Sequence, residues 1–157
     1  MMTVYVETTI VSYAAGRPST NILVLAHQKI TQDWWKKSRP SFSCFISPIV
    51  LDEISRGDPL AVKRRQKMIS GIPVLDAHDQ IDEIAQALIR RLKIPAKAAL
   101  DAFHIAFAAC HEISFLITWN CTHIANANHF DAIKDVLKNW DLNAPIICTP
   151  EELGGKP

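Results

Sequence analysis

Four short runs of β-forming residues, separated by stretches with helical spacing, restrict this chain to an α/β architecture. The runs are Thr3-Val-Tyr-Val-Glu7, Phe42-Ser-Cys-Phe-Ile46, Ser114-Phe-Leu-Ile-Thr118 and the weaker Pro145-Ile-Ile-Cys148. Ile22, Leu25, Ala26, Ile30 and Trp34 repeat at the period of one helix face between the first two runs. Ile81, Ile84, Ala85, Leu88 and Leu92 do the same before the third. Strands that alternate with helices imply a mostly parallel sheet. Ser47-Pro48, Asp58-Pro59 and Thr149-Pro150 each set a capping side chain before a proline suited to the first helical position, and Glu152 completes a capping-box pattern with Thr149. Turn-rich joints fall at Gly16-Arg-Pro18 and Gly71-Ile-Pro73, and no repeat or linker-like tract interrupts the chain.

The 157 residues, 48% of them hydrophobic, suffice for one sizeable core, so a single domain over 1–157 is expected. A formal charge of +1 excludes a globally basic nucleic-acid binder but leaves room for a local basic patch. Charge interrupts every apolar run well short of the roughly 18 residues a membrane span needs, and no basic segment followed by an apolar one marks the N-terminus. A cytoplasmic protein without a membrane partner is the expectation. Cys44, Cys110, Cys121 and Cys148 form no C-x-x-C pair, so they read as reduced thiols rather than a zinc or redox motif.

The acids carry the chemistry. Ala98 to Cys110 is apolar around the whole helical circumference and holds one charged side chain, Asp101. A lone carboxylate in a buried helix costs several kcal/mol unless compensated. A cation could compensate Asp101, and so could the free N–H groups of the helix's own first turn. Glu7 ends a strand and so lies at the carboxyl edge of the sheet, where open α/β folds place their ligands. Glu53 falls at helical spacing from Val50 and Ile54 and points to the apolar side, whereas Asp52 points to solvent. These three acids can converge at one sheet edge, where their repulsion demands a cation. Oxygen ligands without clustered histidine or cysteine favour Mg²⁺ or Mn²⁺, and such a site suits phosphodiester hydrolysis. Asn120 follows the third strand directly and could complete the cage through its side-chain carbonyl.

In order and spacing, Val4-Tyr-Val-Glu-Thr-Thr-Ile10, Ser47-Pro-Ile-Val-Leu-Asp-Glu-Ile54, Asp101-Ala-Phe-His-Ile-Ala106, Leu116-Ile-Thr-Trp-Asn120 and His123-Ile-Ala-Asn126 resemble the PIN-domain nucleases. More narrowly, they resemble the VapC-like toxins of toxin-antitoxin systems. The resemblance implies a three-layer α/β/α fold, a Mg²⁺ or Mn²⁺ site, and endonucleolytic cleavage of RNA by metal-bound water. It also implies a protein antitoxin and a homodimer. It places Glu7, Glu53, Asp101 and Asn120 at the family's four metal-binding and catalytic positions. Glu7 stands where the family usually has aspartate, and Asn120 where aspartate is more frequent. One added methylene moves a carboxylate on the ~1 Å scale that already matters to catalysis. Those two departures also suit a weakly active or inactive PIN-like module that binds RNA or protein. A DNA nuclease is disfavoured because the chain has no room for the added DNA-gripping modules. A phosphohydrolase with an aspartyl nucleophile is disfavoured because Thr9 stands where its second acid would.

Other residues read more plainly. His104 lies three positions after Asp101 on an apolar helix, the setting of a satisfied core histidine. His123 and Asn126 suit capping and packing, with a role at the mouth of the site left open. Arg56 to Lys67 holds five basic residues, and Arg90, Arg91, Lys93 and Lys97 form a second run. Both read as solvated helix faces unless they border the acids, where they could hold RNA phosphates. Trp34 fits the core, which leaves Trp35 as a candidate for stacking a base.

Overall fold

A computed structural model describes residues 1–154. Its four strands are β1 (Thr3–Val6), β2 (Ser43–Phe45), β3 (Phe115–Ile117) and β4 (Ile146–Cys148). They form one parallel sheet in the order β2-β1-β3-β4. Eight helices flank it in a three-layer α/β/α arrangement: α1 (Thr8–Ala15), α2 (Ile22–Lys37), α3 (Pro48–Ile54), α4 (Pro59–Met68), α5 (Asp79–Leu92), α6 (Ala99–Cys110), α7 (Phe130–Lys138) and α8 (Pro150–Leu153). Each strand run identified in the sequence becomes a strand, one or two residues shorter than its apolar run. Among the described residues, no helix is long and apolar enough to cross a membrane.

The topology fixes where chemistry can occur. From β1 the chain moves outward to β2, then crosses back to β3 on the other side of β1. Parallel strands that diverge in this way leave a crevice at their carboxyl ends. β1 and β3 pair in register, Val4 with Phe115 and Val6 with Ile117, so Glu7 and Thr118 emerge side by side at that crevice. Val4, Tyr5 and Val6 are fully buried because helices cover both faces of the sheet.

Several helix expectations hold, and two need correction. Asp58 caps α4 by accepting from Ala61 N at 2.9 Å, and Thr149 with Glu152 forms a reciprocal capping box on α8. Ser47, expected to cap α3, makes no side-chain cap; its hydroxyl lies 2.7 Å from the Tyr5 hydroxyl in the core. Of the apolar stripe read along α2, only Trp34 is fully buried. Ile22 is 80% exposed, and the buried positions are Gln28, Thr31 and Trp34. Gln28 can be buried because its amide satisfies Ser19 N and Arg17 O, and Thr31 because its hydroxyl donates to His27 O and accepts from Trp119 Nε1. In α5 the expected face is buried, at Ile81, Ile84, Ala85 and Leu88, and the helix ends at Lys93 in a left-handed conformation.

Candidate active site

Glu7 sits one residue past β1, as the N-cap of α1. Its Oε2 accepts three hydrogen bonds, from Thr9 N at 3.0 Å, Thr9 Oγ1 at 2.5 Å and Thr118 Oγ1 at 2.7 Å. Three donors on one oxygen hold the side chain rigidly and offset the cost of burying it at 3% exposure. Among the described residues Oε1 receives no hydrogen bond and stands 4.0 Å from His104 Nε2.

Glu53, near the end of α3, reaches the same place from the other side of β1. Its Oε1 accepts from Thr8 Oγ1 at 2.7 Å and from His104 Nε2 at 2.7 Å. Asp52 is exposed and pairs with Arg56, as its helical position requires. His104 is fully buried on α6, and its other nitrogen, Nδ1, lies 2.7 Å from the Tyr5 hydroxyl. A continuous chain therefore runs Ser47, Tyr5, His104, Glu53, with every link at 2.7 Å.

The electrostatics follow from that chain. Burial alone would depress the His104 imidazole, but the Glu53 hydrogen bond and the charges of Glu7, Glu53 and Asp101 raise it above its usual value. Burial alone would raise the Glu53 carboxyl, yet the His104 bond and charge, the Thr8 hydroxyl and nearby Arg56 together lower it. Burial pushes the Tyr5 hydroxyl well above its ordinary value, so it stays neutral and able to donate. Burial likewise pushes Cys110 up to about 11 and Cys148 up to about 12, which keeps both thiols protonated and unreactive.

Asp101 occupies the first turn of α6, one turn before His104. The helix's own N–H groups do not hold it: Oδ2 lies 2.8 Å from His123 Nδ1, with the two side chains 17% and 21% exposed. Its charge, one turn away on the same helix, is among those that raise His104. Asn120 follows β3, and its Oδ1 accepts from His123 N at 3.1 Å.

Glu7, Glu53 and His104 thus offer ligand atoms all within 4.8 Å of one another; Asp101 and Asn120, expected to share the site, are not part of that group. Two carboxylates this close repel each other unless a positive charge sits between them. A protonated His104 or a cation can supply that charge. The free Oε1 of Glu7 on the cluster side fits a cation better, because a proton on His104 already satisfies Glu53 and leaves Glu7 Oε1 at 4.0 Å.

Sequence reasoning set His104 aside as a core residue, and it is indeed fully buried. The pairing with Glu53 was missed because it spans 51 positions. Of the two residues read as capping or packing with a role at the mouth of the site left open, His123 meets Asp101 through its ring, and Asn126 caps, accepting from Asn128 N at 3.0 Å. Within the basic run, Arg64 and Arg65 bond to the backbone oxygens of Ala15 and Ile54, so both serve packing. Arg56 is the cation near enough to act on Glu53. Trp34 is buried as expected, and half-buried Trp35 carries the Arg39 guanidinium 4.8 Å above its ring.

A profile of the PIN domain matches residues 4–127, which takes in β1 to β3, α6, Asn120 and His123. No curated protein matches the chain significantly.

Proposed function

Because this chain belongs to the PIN-domain family, whose members are typically divalent-metal-dependent nucleases acting on RNA, we propose that it is a metal-dependent endoribonuclease. The observation that carries the reading is the asymmetry of Glu7, with three donors on Oε2 and none on Oε1, which faces Glu53 and His104. In this reading Glu7, Glu53, Asp101 and Asn120 would hold Mg²⁺ or Mn²⁺. Bound there, a divalent cation lowers the pKa of the attacking water and neutralises charge on the phosphoryl group. The chain's own residues do the rest. Thr9 and Thr118 fix Glu7, His104 and Thr8 fix Glu53, and Arg56 supplies positive charge for a backbone phosphate. The toxin role, a protein antitoxin, a homodimer and a cytoplasmic setting complete the proposal and rest on the resemblance to VapC-like toxins and on the sequence pattern. Residues 1–157 are taken as one domain.

One observation favours a second reading, a binding module with little turnover. Glu7 is 3% exposed and extensively hydrogen-bonded, so it could serve as a structural cap alone. Cleavage of a mixed structured RNA pool in EDTA, Mg²⁺ or Mn²⁺, beside Asp101→Asn, separates the two. Metal-dependent cutting that falls by about 100-fold or more in the variant, as expected when several kcal/mol of charge stabilisation is lost, supports the nuclease. RNA binding without cutting under every condition supports the module.

A further inference from the structure

The loop that follows β3 bonds to both ends of the acid set. Thr118 Oγ1 donates to Glu7 Oε2 at 2.7 Å and accepts from Asn120 N at 2.9 Å. Trp119 N donates to Thr9 Oγ1 at 2.9 Å, and Thr9 Oγ1 in turn donates to Glu7. Asn120 then folds the chain back. Its side-chain oxygen takes His123 N, and its backbone oxygen takes Ile124 N at 3.3 Å and Ala125 N at 2.8 Å. The result is that His123 Nδ1 arrives 2.8 Å from Asp101 Oδ2. A carboxylate can only accept, so Nδ1 is the protonated nitrogen in this contact.

Among the described residues, His123 is the one hydrogen-bond donor to the Asp101 side chain. An aspartate in the first turn of a helix would ordinarily swing between its own N–H groups and solvent. Here a ring held at its own backbone by Asn120 fixes one oxygen and leaves Oδ1 unengaged. We propose that His123 is a positioning residue for the cation site: it aligns the Asp101 carboxylate, and Asn120 aligns His123. The inference rests on the cation reading of the acids and adds to it a residue outside the acid set. One loop thereby fixes Glu7 through Thr118 and Asp101 through His123, so it sets the spacing of acids that come from different elements. Donors that orient a metal-binding side chain typically affect metal affinity by about 10–100-fold when removed.

Mn²⁺ binding by calorimetry, together with the Mn²⁺ dependence of RNA cleavage, tests this in wild type, H123A, H123F and H123N. Asparagine keeps an N–H donor near the place of Nδ1, whereas phenylalanine keeps the ring's bulk without the donor, so a folding failure of H123A leaves the comparison intact. The expected result is about 10–100-fold weaker Mn²⁺ binding in H123A and H123F, an equal rise in the Mn²⁺ needed for half-maximal cleavage, a largely retained rate at saturation, and recovery in H123N. Wild-type affinity in H123F, or no recovery in H123N, overturns the role of His123 and leaves the cation reading standing. No Mn²⁺ binding by the wild type overturns both.

Discussion

His104 Nε2 stands 2.7 Å from Glu53 Oε1, joining α6 to α3 beneath the carboxyl edge of the sheet. The contact is a charge pair whenever the imidazole is protonated. A divalent cation at the cluster would compete with that proton, so protonation and metal binding are coupled at one buried place.

Stability of the metal-free protein should therefore depend on pH in a defined direction. His104 is raised above its ordinary 6.5, so the folded state holds its proton more tightly; the contribution is complete below 6.5 and fades as pH rises through the folded value. Glu53 is lowered from 4.5, so its contribution is present above 4.5 and fades as pH falls through its folded value. The pair thus stabilises most between about 4.5 and 6.5. Thermal melts in EDTA from pH 4 to 9 should show wild type losing more Tm toward alkaline pH than His104→Gln. Parallel curves would remove the pair from the account of stability.

Cation binding should reverse that trend. Mn²⁺ at about 100 times its Kd adds roughly 2.7 kcal/mol to the folded state. For a chain of 157 residues that is a Tm rise of about 5–10 °C. Because the ion needs the neutral imidazole or displaces its proton, the rise should grow from pH 6 to pH 8. It should shrink markedly in Glu7→Gln. A wild-type Tm indifferent to Mn²⁺ at pH 8 would count directly against a cation site.

How much of this was legible in the sequence depends on the range of the interactions involved. The strands could be read because Val4, Tyr5 and Val6 are buried on both faces, which leaves a continuous run of β-formers. The α5 face could be read because its apolar residues recur locally. The α2 face could not, since Gln28 and Thr31 are buried by bonds to Arg17, Ser19 and Trp119 that no periodicity encodes. At the site, Glu7 and Glu53 followed from strand-end and helix-face positions. Asp101 was singled out as a lone charge in an apolar helix, but its partner His123 lies 22 positions away across β3. Ser47 illustrates the same limit, because a residue placed to cap α3 instead faces a tyrosine 42 positions away.

Thr9 offers a test of how firmly Glu7 is held. Its hydroxyl donates to Glu7 Oε2 and accepts from Trp119 N, so Thr9→Val keeps the shape and removes both bonds. Leaving Trp119 N and one Glu7 contact unsatisfied should cost about 1–3 kcal/mol. The cut in RNA cleavage should exceed what the lost stability explains, since the fold remains intact at room temperature while Glu7 gains freedom. A variant with full activity and reduced Tm would restrict Thr9 to a structural part.

Tyr5→Phe tests the chain from its buried end. The Tyr5 hydroxyl lies 2.7 Å from both Ser47 Oγ and His104 Nδ1, and all three side chains are fully buried. Phenylalanine fills the same space, so the loss is almost wholly polar: Ser47 Oγ and His104 Nδ1 both lose their bond to the Tyr5 hydroxyl in the core. The cost should be about 1–3 kcal/mol, or roughly 2–4 °C of Tm for each kcal/mol. A second effect separates this from ordinary core damage. Without the hydroxyl, Nδ1 no longer fixes which nitrogen of His104 carries the proton, so the bond to Glu53 loosens and the alkaline loss of Tm in EDTA should flatten toward that of His104→Gln. A uniform Tm loss at every pH, with the wild-type slope preserved, would show that Tyr5 supports the core without orienting His104.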